Sequence, residues 1–476
     1  MTSPERVDVV VIGGGPAGVV AALRAAELGA HTALITREQV GGMAASDGPV
    51  PVRALAQAAR LRREARHLSR YGVGPSESSL DYGQLLARVH EVVGEVAQHA
   101  VRRAELQEAG VIIYEHAGTA RFVDAHIIEA DDGLRFEASK VILCAGGTNR
   151  TLPVPGAELA GSHRDAWTLT TVPESLLVVG AGATGVQVAS VFAELGSHVA
   201  LFEAGPRILA TEDEDVSRAM AAAFRAADID VREDFGRIRG FEQTPGGVRM
   251  VFEKDSAMDS VEAKTVVVAI GWLADTAGLN LAAAAVATTD RGYVQVDTHL
   301  RTSVRHVFAA GDITGRLMLV PNAAQDGYVA ATNAVEDKEV TISAPANPIG
   351  SFTDPEYAQV GLTEAKARQD YDVVVATVPY AVIARPIIDG RPNGFCKLIV
   401  DRHTRRILGC HVVGERAVEI AQVAAVAVAA AMPVEEFVRI PLSFPTYTNV
   451  LGRAAFETAR QLDIPGLLGP AGPAQI

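Results

Sequence analysis

The amino-acid sequence predicts an α/β protein with two Rossmann-like dinucleotide-binding domains and a C-terminal α+β domain. Three observations support this class. A strand, a glycine loop, a helix and a second strand follow one another near the N-terminus, and the same order recurs from about residue 176. From about residue 345 the residue pattern changes, and strand-like segments are followed by an alanine-rich helix.

The first glycine loop has the spacing of a dinucleotide-binding turn. An apolar strand over residues 7–12 precedes it, and an alanine-rich helix and a strand over 32–35 follow. Small residues allow a tight turn, and the helix N-terminus offers N–H groups and partial positive charge to a pyrophosphate. The residues that we expect to bind are Gly13, Gly15, Pro16, Ala17 and Gly18.

The second loop repeats this arrangement between a strand over 176–179 and a helix that runs to 195. Its expected binding residues are Gly180, Gly182, Thr184 and Gly185. Glu203 ends the next strand, where a carboxylate accepts hydrogen bonds from the 2′-hydroxyl of NADH and repels the 2′-phosphate of NADPH. A solvated acid at a strand end is the alternative, and Arg207 could neutralise the phosphate if it folded back.

The remaining segments complete the expected order. Residues 51–71 and 81–109 are polar and helical, and a strand ends at residue 143. Residues 294–312 alternate between apolar and polar side chains and then become glycine-rich. We expect the chain to return to the first domain here. In the C-terminal part, strands are expected over 396–400 and 407–412, and the apolar run 423–432 is expected to be a buried helix.

Composition and charge exclude several classes. With 48% hydrophobic and 21% charged residues, the 476-residue chain has the composition of a globular protein. Its net charge of -14 disfavours binding to nucleic acid, which is itself negatively charged. No signal peptide and no membrane-spanning run are recognisable, so we expect a cytoplasmic protein without membrane insertion. Cys144, Cys396 and Cys410 lack metal or CxxC spacing and are expected in the core, with no metal site. Cys396 and Cys410 flank a hairpin turn and could face each other, without a functional disulfide.

A third segment carries a family resemblance. Residues 301–312 read RTSVRHVFAAGD, and with the two loops they make the chain resemble the flavoprotein disulfide reductases over nearly its whole length. This family, the class I pyridine nucleotide-disulfide oxidoreductases, includes dihydrolipoamide dehydrogenase, mercuric reductase and the soluble Si-specific transhydrogenase. The resemblance implies FAD on the first loop, NAD(P)H on the second and a homodimer formed by the C-terminal domain. It also implies FAD contacts for Thr36, Gly42, Arg53, Gly118, Ala120, Ala145, Gly146, Gly311 and Asp312, and a nucleotide contact for Gly271.

The resemblance also divides the chain. Residues 1–150 and 276–344 would form the FAD-binding domain and 151–275 the NAD(P)-binding domain. Residues 345–465 would form the dimerisation domain, and 466–476 a flexible Pro/Gly-rich tail.

The redox residues of the family are replaced in this chain. After Gly41-Gly42, Ala44 and Pro49 stand where the family has its cysteine pair, and neither can form a thiolate. In the C-terminal acid/base motif, Phe444 replaces the histidine and Asn449 the glutamate.

Positions around the cofactors depart from the family as well. Thr36 replaces an acid, for which the nearby Glu38 could substitute, and Gly271 is followed by Trp272 rather than by arginine. Arg53 and Gln187 replace a lysine–glutamate pair, and we interpret them as the catalytic pair. An arginine no longer neutralised would stabilise negative charge on the flavin, and a structural salt bridge elsewhere is the alternative.

These residues predict an FAD-dependent oxidoreductase that takes hydride from NADH, its preferred donor, and passes electrons to a small non-disulfide acceptor. A quinone is the leading candidate, because Ala44, Pro49, Phe444 and Tyr447 would form an apolar and aromatic pocket. The alternatives are a soluble NAD(P) transhydrogenase and a non-catalytic flavin-binding sensor or partner protein.

Overall fold

The computed structural model describes residues 3–46, 48–74, 79–99, 102–342 and 346–466, and these form two compact units. The first unit contains the described parts of Met1–Leu55, Gly83–Arg150 and Gly271–Ala344. The second contains those of Ala56–Tyr82, Thr151–Ile270 and Pro345–Ile476. The predicted tail lies outside the described residues from 467 onward, and the predicted domain bounds stay predictions.

The first unit is built on a mainly parallel sheet. Its strands are, in order, Ile112–Tyr114, Thr32–Ile35, Glu5–Ile12, Arg135–Leu143, Ile127–Ala130 and Ala120–Phe122, with Val307–Ala309 beside Arg135–Leu143. The pairs that involve Ile127–Ala130 are antiparallel. The central strands are apolar runs buried on both faces, as parallel strands covered by helices must be. Gly147–Asn149 and Trp272–Ala274 pair separately.

The helices Pro16–Glu27 and Val320–Glu336 pack on this sheet. The other helices of these stretches are Gly42–Ser46, Pro49–Ala65, Tyr82–His99 and Arg103–Glu108, with 3₁₀ turns at Leu281–Ala284 and Gly311–Thr314. The unit limit between Leu55 and Ala56 falls inside Pro49–Ala65. In the predicted return segment 294–312, the regular strand is short, Val307–Ala309.

The second unit contains another parallel sheet, with the strand order Asp230–Glu233, His198–Glu203, Ser175–Val179 and Thr265–Val268. An antiparallel sheet of Arg237–Thr244, Gly247–Lys254 and Ala257–Ala263 accompanies it. The helices are His163–Trp167, Ala183–Leu195 and Glu214–Ala226, with 3₁₀ turns at Leu68–Tyr71 and Ala157–Leu159.

The C-terminal part of this unit has an antiparallel sheet in the order Ile349–Ser351, Tyr357–Gly361, Ile407–Val413, Phe395–Asp401 and Val373–Pro379. Its helices are Glu364–Asp370, Ala384–Ile388, Ala417–Ala429, Val434–Val438 and Asn449–Gln461, with a 3₁₀ turn at Tyr380–Val382. The structure thus confirms the predicted class of two Rossmann-like modules and a C-terminal α+β domain.

One predicted burial is wrong. The helix expected over 423–432 is Ala417–Ala429, and it buries only one face, with Ala424, Ala425 and Ala427 inside while Val426 is 62% exposed. An apolar run does not reveal which of its faces has a partner. In the described residues, no helix has the length and apolar character that a membrane span needs.

Candidate dinucleotide-binding sites

The first glycine loop is held by backbone contacts that leave no room for side chains. A Cβ on Gly13, whose φ is +109°, would lie 2.2 Å from the carbonyl oxygen of Cys144. A Cβ on Gly18 would lie 1.7 Å from the carbonyl oxygen of Gly13. Glycine is therefore required at both positions for the strand Glu5–Ile12 to turn directly into the helix Pro16–Glu27.

Gly15 differs, because open space surrounds its Cβ position. Its backbone is extended (φ −73°, ψ −175°), and, apart from its chain neighbours and its own helix, no atom of the described residues lies within 4 Å of the point that a Cβ would occupy. It precedes the helix as its N-cap and has no side chain to cap the helix N–H groups, and Pro16 and Ala17 begin the first turn. This open, uncapped helix N-terminus fits a dinucleotide pyrophosphate.

The second loop has the same geometry. A Cβ on Gly180, whose φ is +94°, would lie 2.5 Å from the Ala269 carbonyl oxygen. A Cβ on Gly185 would lie 1.8 Å from the Gly180 carbonyl oxygen. Gly182 (φ −76°, ψ −174°) is the N-cap of the helix Ala183–Leu195, which includes Thr184, and among the described residues only its chain neighbours and its own helix come within 4 Å of its Cβ position. The residues present therefore fit a second dinucleotide.

Glu203 is fixed beside this loop rather than freely solvated. Its Oε2 accepts a hydrogen bond from the Ala181 N–H at 2.8 Å, and its Oε1 accepts one from the Gly205 N–H at 2.7 Å. Each carboxylate oxygen retains a lone pair that can accept a ribose hydroxyl. The carboxylate is half-buried, so the choice between a ribose-binding acid and a solvated acid at a strand end stays a prediction.

Arg207 does not fold back toward the ribose position. Its guanidinium donates to the carbonyl oxygens of Ala210 at 3.0 Å and Glu212 at 3.1 Å, and more weakly to that of Leu209 at 3.4 Å. These bonds hold the Arg207 guanidinium on the loop that follows Glu203. The role of Glu203 toward a ribose stays a prediction.

Asp312 lies against the helix of the first loop. Gly311, with φ +77°, would place a Cβ 3.1 Å from the Cβ of Ala17, so the 3₁₀ turn Gly311–Thr314 approaches that helix closely. Burial and the nearby Asp326 carboxylate raise the pKa of Asp312 to about 6. Asp326, which is 4% exposed, was not among the predicted site residues. An acid on the buried face of the helix Val320–Glu336 is unusual, and that pattern could have indicated it.

Other predicted FAD contacts belong to the same unit. Thr36 is buried beneath the loop, where a Cβ on Gly14 would lie 3.0 Å from its Oγ1, whereas Glu38 is exposed. Gly42 approaches the loop so closely that its Cβ would lie 2.8 Å from the Cα of Gly15.

The remaining predicted contacts are placed as follows. Gly118 (φ +72°) precedes the strand that begins at Ala120, and its Cβ would lie 2.7 Å from the Asp131 side chain. Ala145 and Gly146 follow the strand that ends at Leu143, and the Gly271 carbonyl accepts a hydrogen bond from the Arg150 N–H at 3.0 Å. These are placements within the first unit, and their roles stay predictions.

Arg53 and Gln187 fall in different units. Arg53 is exposed on the helix Pro49–Ala65. The Gln187 side chain donates to the Ala183 carbonyl at 2.9 Å, and its Oε1 is 3.5 Å from the Phe352 nitrogen. Their catalytic pairing stays a prediction.

The predicted acceptor-pocket residues have unequal environments. Ala44 lies in the short helix Gly42–Ser46 and Pro49 begins the next helix, while Phe444 is 57% exposed. Tyr447 is instead packed in the core of the C-terminal domain beside Tyr380, and its hydroxyl donates to Asp389 at 3.1 Å. This gives Tyr447 a packing role within the chain. Asn449 accepts a hydrogen bond from the Thr446 N–H at 2.8 Å.

All three cysteines are buried free thiols, as predicted. Cys396 and Cys410 face each other across neighbouring strands with their sulfurs 3.7 Å apart, and the contact with Cys410, together with burial, raises the pKa of Cys396. Burial also raises the pKa of Cys144. Within the described part of the chain, no cluster of three or more His, Cys, Asp or Glu side chains is arranged to hold a metal ion.

Comparison with known proteins agrees with this geometry. The family model "Pyridine nucleotide-disulphide oxidoreductase" matches residues 7–327, and the model of that family's dimerisation domain matches residues 347–455. Dihydrolipoyl dehydrogenase of Zymomonas mobilis is 30% identical over 428 residues, which cover 88% of this chain and 90% of that protein. The Mycobacterium tuberculosis enzyme of the same name is 32% identical over 425 residues, covering 87% and 89%.

A solved structure shows the same fold. The HOCl-induced flavoprotein disulfide reductase RclA of Escherichia coli superposes with a TM-score of 0.84, covering 94% of this chain and 99% of that one, at 24% identity. The paired glycine loops and these matches establish that the chain belongs to the pyridine nucleotide-disulphide oxidoreductase family of FAD-binding, NAD(P)H-using oxidoreductases.

Proposed function

We propose that this protein transfers hydride from NADH to FAD and passes the electrons directly to a small acceptor that is not a disulfide, with a quinone as the leading candidate. The observation that carries the proposal is the pair Ala44 and Pro49 in the retained glycine frame. When bound, FAD supplies the redox chemistry, and neither of these side chains can relay electrons as a dithiol.

The other thiols are poorly suited to replace that relay. Cys396 and Cys410 are each 0% exposed inside the C-terminal sheet, and the raised pKa of Cys396 keeps it protonated. Disulfide exchange needs an accessible thiolate. We therefore assign this pair a packing role, although its sulfurs are close.

The chain's own side chains define the rest of the proposal. Glu203, fixed by two backbone N–H groups, favours NADH over NADPH. Arg53 would stabilise negative charge that develops on the cofactor, and the neutral Gln187 would add no opposing negative charge there. Ala44, Pro49 and Phe444 would contact the acceptor, and the C-terminal domain would join two copies into a homodimer.

Anaerobic stopped-flow mixing with NADH, followed by an acceptor panel, tests the proposal. We expect NADH to bleach the flavin absorbance, rapid reoxidation by a water-soluble quinone, and slow reaction with lipoamide or glutathione disulfide. The variant with Cys396→Ser and Cys410→Ser should retain quinone turnover. If the wild-type protein reduces lipoamide fast and this variant does not, the redox centre lies at Cys396 and Cys410 and the proposal is overturned.

Two other outcomes identify the alternatives. Rapid reduction of thio-NADP⁺ by NADH without quinone turnover would indicate a transhydrogenase. A flavin that NADH does not bleach would indicate a binding protein.

A further inference from the structure

A buried lysine of the C-terminal sheet connects that sheet to the nucleotide-binding module of the second unit. Lys397, on the strand Phe395–Asp401, has a side chain only 3% exposed. Its ammonium lies 2.8 Å from Asp213 Oδ1, 2.8 Å from Asp215 Oδ2 and 2.6 Å from Glu364 Oε2. All three of its N–H donors therefore have carboxylate acceptors.

Asp213 is the central partner of Lys397. Its side chain is 3% exposed and caps the helix Glu214–Ala226, where Oδ1 accepts from the Asp215 N–H at 3.2 Å. Its Oδ2 accepts from the Glu364 N–H at 3.0 Å. One carboxylate thus joins the helix, the lysine and the C-terminal domain backbone.

The segment that ends at Asp213 begins at Glu203, beside the second glycine loop. We call residues 203–213 the ribose-side segment. The Leu209 N–H donates to the Ala181 carbonyl of the glycine loop at 2.9 Å, and the Ile208 carbonyl accepts from Ser217 Oγ at 2.6 Å. Leu209 has φ +50°, a left-handed conformation that a leucine adopts only when its surroundings enforce it.

The two ends of this segment are held by different domains. Glu203 is fixed to the glycine loop, whereas Asp213 is fixed by Lys397 and Glu364 of the C-terminal domain. Removing the lysine would leave three carboxylates close together, one of them buried, without their cation. The resulting repulsion acts at the end of the ribose-side segment.

We propose that Lys397 is a positioning residue for pyridine-nucleotide binding, which acts by holding the ribose-side segment against the second glycine loop. The inference rests on the proposed use of the second loop for NADH. The affinity for the nucleotide then depends on a residue of the C-terminal domain whose donors are all occupied by carboxylates.

The test is nucleotide binding by the FAD-loaded Lys397→Met protein, measured by calorimetry with NAD⁺ and with ADP-ribose. We expect both dissociation constants to rise by about 2- to 30-fold, the range for coupling through packed networks. FAD content and the rate of flavin reduction at saturating NADH should stay at wild-type values. Lys254→Met is the matched control, because Lys254 is a half-exposed lysine of the same module, 3.1 Å from Asp234, and its loss should change neither constant.

A second variant separates positioning from general stability. Lys397→Met combined with Asp213→Asn and Glu364→Gln neutralises most of the cluster and keeps an oxygen at the helix cap, so stability should recover toward that of the wild type. Affinity should remain reduced, because methionine cannot donate to the cap residue. Wild-type affinity in this triple variant, or in a folded Lys397→Met protein, would overturn the inference. Failure of the wild-type protein to bind either ligand would instead refute the assignment of the second loop.

Discussion

At the residue scale, one glycine in each loop lies where a bound nucleotide would be, and its substitution tests that nucleotide site alone. Gly15 and Gly182 have nearly the same extended backbone and the same open space at Cβ. A side chain would therefore fill the space of a ligand without straining the backbone, so each substitution should remove one ligand selectively.

We predict that Gly15→Leu yields protein without FAD, whereas Gly182→Leu yields yellow protein with at least tenfold weaker NAD⁺ binding, about 1.4 kcal/mol. Absorbance of the purified variants and NAD⁺ titration provide the measurements. Each variant is the control of the other. Loss of FAD from the Gly182→Leu protein, with Gly15→Leu still yellow, would show that the loops are assigned in the wrong order.

Glu203 should set the preference between NADH and NADPH. Two like charges about 4 Å apart in water repel each other by ~1 kcal/mol. This energy corresponds to about a fivefold change in an equilibrium or rate constant. We predict that wild-type kcat/KM favours NADH and that Glu203→Gln, which keeps the shape of the side chain, reduces this preference by about fivefold or more. An unchanged ratio of the two kcat/KM values would contradict the role of its charge.

At the scale of elements, the loop between the strand His198–Glu203 and the helix Glu214–Ala226 contains a buried acid. Burial raises the pKa of Glu212 to about 7, and its Oε2 has no hydrogen-bond partner among the described residues. Because the folded-state pKa exceeds the unfolded value, the folded state favours the protonated acid. Stability from this group is complete below about pH 4.5 and is lost as the pH rises through about 7.

We predict that Glu212→Gln removes on the order of 3 kcal/mol of this pH dependence, because the pKa of Glu212, about 7, lies well above its usual value. Urea unfolding midpoints at pH 5 and pH 8 give the measurement. Glu214→Gln, at a neighbouring side chain that is 76% exposed, is the control. The dependence from Asp312, whose pKa is about 6, has the same sign and should persist in both variants. Parallel pH profiles for wild type and Glu212→Gln would contradict the prediction.

At the scale of the whole molecule, the C-terminal domain leaves large apolar side chains uncovered. Those more than 50% exposed are Val382, Ile387, Ile388, Val426 and Phe444. Where such side chains lie next to one another, they are typical of a surface that associates. Together with the match to a dimerisation domain, they favour a second copy of the chain.

We therefore predict a homodimer at micromolar concentration. Light scattering coupled to size exclusion should give twice the mass of the chain, and dilution should not shift it, as expected for an extensive apolar interface. A single-chain mass across the same range would contradict the homodimer.

The sequence alone determined the features that depend on local chemistry. Close backbone approaches at Gly13 and Gly180 permit only glycine, and apolar strands on either side of such loops specify a βαβ module. That Ala44 and Pro49, in the glycine frame after Gly41-Gly42, carry no thiol is likewise visible without coordinates. Fold class, cofactor class and family could therefore be predicted.

Tertiary structure decided the features that depend on residues far apart in the chain. The anchoring of Glu203, the burial of Tyr447, the exposure of Val426 and the carboxylates around Lys397 each require neighbours that no local pattern reveals. The identity of an apolar or charged residue does not indicate which other residues will pack against it in the folded chain. Only folding brings Asp213 to a lysine 184 positions away, and only then does the cost of burying that charge fall.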